Sequence, residues 1–326
     1  MYIVEEFPRL FSIETSGKTF ETPFFFPSIS TIKADLSILK YFDLIKKVGY
    51  NGFLISAYDI LKSEKKGILL KNISDSTKNT IFFLDNGMYE AFWYNDKNWK
   101  FEDFKSILEK VSPDLCFSFD VFWNDDKNKE KHIEETITNI AKTASIQKTG
   151  STVPIIHSTP KLFSYMTRKI VDYINPEIVA VPERELGSDI IERCQTIKTI
   201  RNELNKTNRK IPIHILGTGN PISMLIYTLC GADMYDGLEW FNIVINPKDG
   251  QILNFSQRNL IDCSCKACKS EEIPYYLGAL THNLIFYTEF LEKIRFALKN
   301  KETDSILHEY LSEKTAKMVK KIMGFE

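Results

Sequence analysis

Eight short runs rich in aromatic and β-branched residues recur between residues 22 and 240, and polar stretches with helical periodicity separate them. The runs cover residues 22–30, 52–59, 80–87, 115–122, 153–160, 178–185, 211–219 and 232–240. Between them the spacing predicts helices over 34–48, 101–111, 132–147, 161–174, 188–204 and 221–230. That many strand–helix alternations fit an α/β fold of the (β/α)8 TIM-barrel type better than an open doubly wound sheet, which needs fewer strands. Beyond Trp240 the pattern changes. Residues 242–254 read as a hairpin turning at Asp249-Gly250, a cysteine cluster follows, and residues 273 onward are helix-forming. The expected organisation is therefore a barrel over residues 1–241, with a metal-binding and helical subdomain over 242–326 packed on it.

Potentially reactive residues gather near the C-terminal ends of the runs, where barrel enzymes place their chemistry: Asp85, Asp120, His157, Glu183, Arg184 and Asp236. Strand ends are also polar because they enter loops, so no single one of these is decisive. Lys and Arg total 42 against 43 Asp and Glu, so the chain carries no global basic field of the histone kind. Contact with a nucleic acid would have to come from local patches. The first ten residues lack the basic start and apolar run of a secretory signal, and no apolar stretch is long enough to span a bilayer, which leads us to expect a soluble, cytoplasmic protein with no membrane association.

Three of the six cysteines fall in the pattern Cys263-x-Cys265-x-x-Cys268, and His282 follows after thirteen intervening residues. In a reducing compartment such a cluster points to metal before disulfide. Three thiolates and an imidazole match tetrahedral zinc, and four protein ligands leave no open position, so the expected Zn2+ is structural.

These motifs together resemble the tRNA-guanine transglycosylase family. The cysteine loop with the later His282-Asn283-Leu284 is similar to that family's zinc subdomain, although the interval between Cys268 and His282 is shorter than in typical members. Gly231-Ala232-Asp233-Met234-Tyr235-Asp236 resembles the family's segment on the last barrel strand, whose second aspartate attacks C1′, and this implies that Asp236 is the nucleophile. Leu84-Asp85-Asn86-Gly87-Met88-Tyr89-Glu90 is similar to the segment after the third strand, which implies that Asp85 is a general acid/base that also contacts the purine edge. Ser118-Phe119-Asp120-Val121-Phe122 resembles the segment carrying a second base-recognition aspartate, Asp120. Leu216-Gly217-Thr218-Gly219 resembles a glycine turn where a base or ribose phosphate approaches the backbone at Gly217 and Gly219. Tyr89, Phe122 and Trp123 are either stacking partners for the purine or core residues.

The chain also departs from the family pattern. Val181-Pro182-Glu183-Arg184-Glu185-Leu186-Gly187 replaces a Gly-Gly-Leu-Ala-like turn, and proline removes a backbone donor there. Gly237-Leu238-Glu239-Trp240 stands where members acting on tRNA carry an apolar-Pro-Thr-Arg run, and His157-Ser158-Thr159-Pro160 replaces a Gly-x-x-Gln-Gly segment. These departures resemble the DpdA-type branch, which places a 7-deazaguanine such as preQ0 into DNA. That resemblance implies exchange of guanine for a 7-deazaguanine base through a covalent aspartyl-glycosyl intermediate, with DNA the preferred polymer and tRNA the alternative. Accessory proteins or a homodimer are compatible with it. Glu183 and Arg184 are expected near the reaction centre, Arg184 on a phosphate or the two paired with each other. His157 either contacts substrate or is held by hydrogen bonds within the barrel. Two other classes remain open: a noncatalytic nucleic-acid-binding partner subunit, and a nucleoside or glycoside hydrolase that transfers to water.

Overall fold

Phenylalanine, isoleucine, leucine and valine make up most of the barrel strands, and nearly all of them are buried, as expected of parallel strands covered on both faces. The computed structural model describes residues 10–120 and 128–324. The strands in chain order are β1 Ser12–Thr15, β2 Lys18–Glu21, β3 Phe24–Ile29, β4 Gly52–Ser56, β5 Ile81–Asp85, β6 Leu115–Phe117, β7 Ser151–Val153, β8 Val179–Pro182, β9 Ile213–Leu216, β10 Met234–Gly237, β11 Val244–Ile245 and β12 Ile252–Leu253.

Strands β3 to β10 form one sheet of eight in the order β7-β6-β5-β4-β3-β10-β9-β8, with parallel pairing throughout. Its two edges meet through a parallel bridge between Ile155 and Ala180. Ile156 N–H donates to Ala180 O at 2.8 Å, and Ala180 N–H donates to Pro154 O at 2.9 Å, which brings the edges together into a nearly closed barrel. The expected run 153–160 is therefore mostly not ladder. Pro154 has no N–H to contribute, so β7 ends at Val153 and the closure narrows to that bridge. Likewise the run 178–185 leaves the sheet after Pro182 and coils into a single 3-10 turn at Glu183–Glu185.

Aromatic rings fill the barrel interior. Phe26 meets Phe83 at 5.4 Å between centroids, and Phe83 meets Phe117 at 4.2 Å. Each such ring contributes roughly 1.5–3 kcal/mol by leaving water. At the N-terminal end, β1 and β2 form a hairpin that the sequence reading did not include. Ser16 (φ 49°) and Gly17 (φ 75°) both take the left-handed conformation of a two-residue hairpin turn. Phe20 lays its ring on Phe24, and Lys18 Nζ binds Asp114 Oδ2 at 2.5 Å, so the hairpin caps that end of the barrel.

The long helix Tyr275–Lys299 packs along the outside of β3, where Tyr287 stacks on Phe25 at 4.2 Å. Asn283 is fully buried in this contact. Its Nδ2 donates to the carbonyls of Trp240 and Ile243, and its Oδ1 accepts from Ile245 N–H, so one amide ties the helix to β11. Among the described residues, no helix is long and apolar enough to cross a membrane.

Candidate active site and metal cluster

At the C-terminal ends of the strands lies a cavity of about 490 Å³, within the size range of small-molecule sites. Asp85, Asp120 and Asp236 all line it, brought there from three different strand ends.

Asp236 sits near the end of β10. Its Oδ2 accepts a hydrogen bond from Ser28 Oγ at 3.0 Å, and its Oδ1 accepts from His214 Nε2 at 2.8 Å and from Gly217 N–H at 3.3 Å. Gly217 lines the cavity with φ at 77°, a left-handed backbone that suits glycine and points its N–H at the carboxylate.

Asp85 ends β5, and its Oδ2 accepts from Gly87 N–H at 2.8 Å. Burial pushes its carboxyl well above the usual range, and the nearby charges of Glu90, Asp120 and Asp236 push the same way against the Gly87 hydrogen bond. Asp85 is thus placed to hold a proton that it can release.

Asp120 is held from both sides. Asn86 Nδ2 donates to Oδ1 at 3.0 Å, and His157 Nε2 donates to Oδ2 at 2.8 Å. The other nitrogen of His157 lies 2.8 Å from Glu185 Oε1. His157 is buried, which disfavours its charge, but the hydrogen bonds and charges of Asp120 and Glu185 outweigh that and raise it to about 9. Of the two possibilities for His157, the structure shows the hydrogen-bonded arrangement, with the ring also lining the cavity.

The remaining expected residues divide. Glu183, Arg184 and Tyr89 line the cavity, and Tyr89 is 38% exposed with its ring against Trp93. The mutual pairing weighed for Glu183 and Arg184 is replaced by another: Glu183 Oε1 accepts from Arg193 Nη1 and from Tyr227 Oη, each at 2.9 Å. The 3-10 turn separates the two neighbours and leaves Arg184 on the cavity wall. Gly219 does not line the cavity. It packs beneath Glu239, where an added Cβ would stand 2.4 Å from Oε2, so its smallness serves that carboxylate. Phe122 and Trp123 lie outside the described residues.

On the flank of the barrel, Cys263, Cys265, Cys268 and His282 bring their ligand atoms within 4.8 Å of one another. The three Sγ atoms lie 3.5, 3.6 and 3.4 Å from His282 Nδ1. A tetrahedral zinc with ordinary Zn–S and Zn–N bonds has an S–N edge of about 3.6 Å. His282 Nε2 donates to Ile245 O at 2.7 Å, which puts the hydrogen on that nitrogen and leaves the Nδ1 lone pair facing the sulfurs. The cluster fits a metal ion such as zinc.

The family model for queuine tRNA-ribosyltransferase matches residues 5–316. The chain belongs to that family. Members of this family are guanine-exchanging pentosyltransferases. Similar curated proteins include the tRNA-guanine(15) transglycosylase of Nanoarchaeum equitans, 24% identical over 87% of this chain and 70% of that protein. The proteins of the same name from Sulfolobus acidocaldarius and Methanococcus aeolicus are 25% and 23% identical, over 94% and 90% of this chain. The chain spans 64% of the Sulfolobus protein and 48% of the Methanococcus protein.

Within this queuine tRNA-ribosyltransferase-family barrel, four polar groups escaped the sequence reading: Glu90 and Glu239 on the cavity wall, and the buried Asp59 and His214 behind it. Glu90 lines the cavity, accepts from Ser30 Oγ at 2.7 Å, and is raised to about 7 by burial and by the charge of Asp59. Asp59 itself is shifted upward by burial. Glu239 is raised to about 7, again chiefly by burial. His214 lies on β9 with no exposed surface, directly against Asp236. The available signal was parity. His214 and Leu216 share one face of their strand, and a histidine midway along an apolar barrel strand must find a partner inside.

Proposed function

We propose that this chain exchanges guanine in tRNA for a free 7-deazaguanine base by two successive displacements at C1′. The observation that carries the reading is the presence of Asp85, Asp120 and Asp236 around one cavity at the C-terminal mouth of the barrel. The tRNA preference over DNA rests on the relatives, whose names specify tRNA.

In this reading Asp236 attacks C1′ and the glycosidic bond breaks toward the base. Asp85, which burial keeps protonated, gives its proton to the departing base nitrogen. The purine's N–H edge faces Asp120, whose oxygens each accept one bond from Asn86 or His157 and retain a further lone pair. The incoming base then loses a proton to Asp85 and displaces Asp236, and two inversions restore the original anomer. Gly217 allows close approach of the nucleotide to the backbone, Tyr89 offers a ring to the base, and Arg184 offers a cation to a phosphate. Zinc held by Cys263, Cys265, Cys268 and His282 would be structural, pinning the cysteine loop to the long helix and β11.

One observation favours a second reading, in which DNA is the polymer. The segments Pro182-Glu183-Arg184 and Leu238-Glu239, which line the cavity, depart from those that the sequence resemblance assigns to family members acting on tRNA. A side-by-side assay of labelled guanine incorporation into unmodified tRNA and into DNA decides between them. Incorporation into tRNA, abolished by Asp236→Asn, supports the proposal. Incorporation into DNA alone moves it to the second reading, and none into either leaves a noncatalytic binding role.

A further inference from the structure

We propose that His214 is a positioning residue that makes the two oxygens of Asp236 unequal: it holds Oδ1 as the non-attacking oxygen, leaving Oδ2 to form and break the bond to C1′. The inference rests on the nucleophilic role proposed for Asp236.

His214 has no exposed surface, and its ring is enclosed by Phe83 and Phe117, each 5.2 Å away edge-on, and by Phe26 at 6.2 Å. A carboxylate oxygen can only accept, so Nε2 carries the hydrogen in the 2.8 Å contact with Asp236 Oδ1. Among the described residues, the other nitrogen, Nδ1, has no partner. A histidine chosen for packing alone would not leave a buried nitrogen unsatisfied, which is unfavourable, where phenylalanine would complete the aromatic cage. What the imidazole adds is one N–H aimed at one oxygen.

Gly217 N–H aims at the same oxygen, so Oδ1 faces two N–H donors while Oδ2 has the hydroxyl of Ser28, which lines the cavity. The asymmetry matters in both half-reactions. When Oδ2 attacks, the C1′–Oδ2 bond forms as the C1′–N bond breaks, its electron pair passes to the base nitrogen, and Asp85 supplies the proton. The resulting ester keeps Oδ1 as its carbonyl oxygen, still held by two donors. When the incoming base attacks, having lost its proton to Asp85, the C1′–Oδ2 pair returns to the carboxylate. The charge then spreads onto Oδ1, where fixed donors in a dry aromatic surround stabilise it without reorganising. His214 therefore acts mainly on departure of the carboxylate, the second step.

Three substitutions in the full-length, zinc-loaded protein separate this role from packing. The amide of His214→Gln reaches the position of Nε2, that of His214→Asn only the position of Nδ1, and His214→Phe fills the cage with no donor. With unmodified tRNA, the protein–tRNA adduct is captured on a denaturing gel, and its decay is timed after guanine is added. His214→Phe and His214→Asn should slow decay and kcat by about 100-fold, with kcat/KM for tRNA within about threefold and the trapped adduct enriched. His214→Gln should stay within about tenfold of wild type. Equal rates for the Gln and Asn variants, or wild-type decay in the Phe variant, overturn the proposal. If the Phe variant does not fold, the Gln–Asn comparison still decides. Asp236→Asn run in parallel must give no adduct; if it does give one, the nucleophile assignment fails rather than the role of His214.

Discussion

His157 Nε2 and Asp120 Oδ2 lie 2.8 Å apart inside the barrel mouth, and Glu185 holds the opposite edge of the same imidazole. The ring is an imidazolium clamped between two carboxylates, with a folded-state value of about 9 despite its burial. Its unfolded value is that of an ordinary histidine, about 6.5. A group raised on folding stabilises fully below its unfolded value and loses that contribution as pH climbs through the folded one. The clamp should therefore contribute on the order of 1–3 kcal/mol at pH 6 and fade between about pH 6.5 and 9. Urea melts of wild type and His157→Gln across that window check it. The difference between them should shrink as pH rises, and a constant difference would show that the ring stays neutral.

Glu90 is a buried carboxyl raised to about 7, chiefly by desolvation and secondarily by the charge of Asp59, against hydrogen bonds from Ser56 and Ser30. Its sign is opposite to that of the usual paired carboxylate. The folded state holds this proton longer than the unfolded one, so stability falls as pH rises from about 4.5 to about 7 and is level above that. Glu90→Gln keeps the shape and removes the charge, and should stabilise the protein at pH 8 by roughly 1–3 kcal/mol. Because the Glu90 charge also pushes up Asp85, the same substitution should move the alkaline limb of the exchange rate to lower pH. Denaturation at pH 5 and 8, with a pH–rate profile, tests both halves.

Legibility in the sequence followed the physics of each part. The barrel strands could be read because a strand buried on both faces leaves an unbroken apolar run, as in Phe24–Ile29 and Ile81–Asp85. The hairpin at Ser12–Glu21 mixes charged and apolar residues and depends on Ser16 taking a left-handed backbone, for which serine gives no cue. Asp85, Asp120 and Asp236 stood out because each interrupts or ends such a run. His214, Glu90 and Glu239 did not, because their meaning lies in partners far along the chain: Asp236 for His214, Ser30 and Asp59 for Glu90, and the Gly219 backbone for Glu239. The cysteine spacing was readable because Cys263, Cys265 and Cys268 share one loop. The carbonyl of Ile245 that orients His282 was not, since it comes from a strand with no polar side chain.

Metal removal should loosen the cysteine loop and the helix together. The four ligands join a segment with little buried apolar surface to the helix Tyr275–Lys299, so the ion supplies cohesion that the loop's own packing does not. Treatment with a strong chelator, or Cys268→Ser, is expected to lower Tm by several degrees and to release about one zinc per chain, measured by calorimetry and elemental analysis. Hydrogen exchange should rise first in residues 255–282. A chain that contains no zinc as purified, with an unchanged Tm in Cys268→Ser, would refute this.

The two aspartates of the segment Asp233-Met234-Tyr235-Asp236 should fail in different ways. Asp233 Oδ2 accepts from Ile213 N–H at 2.7 Å and forms a salt bridge with Arg201, whose guanidinium also reaches the carbonyls of Gly231 and Ile211. Both side chains are almost wholly buried and lie at the opposite end of β10 from the cavity. Removing one partner strands the other's charge in the core, so Arg201→Met should cost about 3–5 kcal/mol. Pairing it with Asp233→Asn should recover part of that loss, because no unpaired charge is left behind. Asp236 is also nearly buried, yet its partners are a hydroxyl, an imidazole and a backbone N–H, so Asp236→Asn should leave Tm within a few degrees while abolishing exchange. Urea unfolding and guanine exchange measured on both single variants separate the roles. A large stability loss in Asp236→Asn, or lost chemistry in a well-folded Arg201→Met, would mean that the two carboxylates are not divided between structure and reaction.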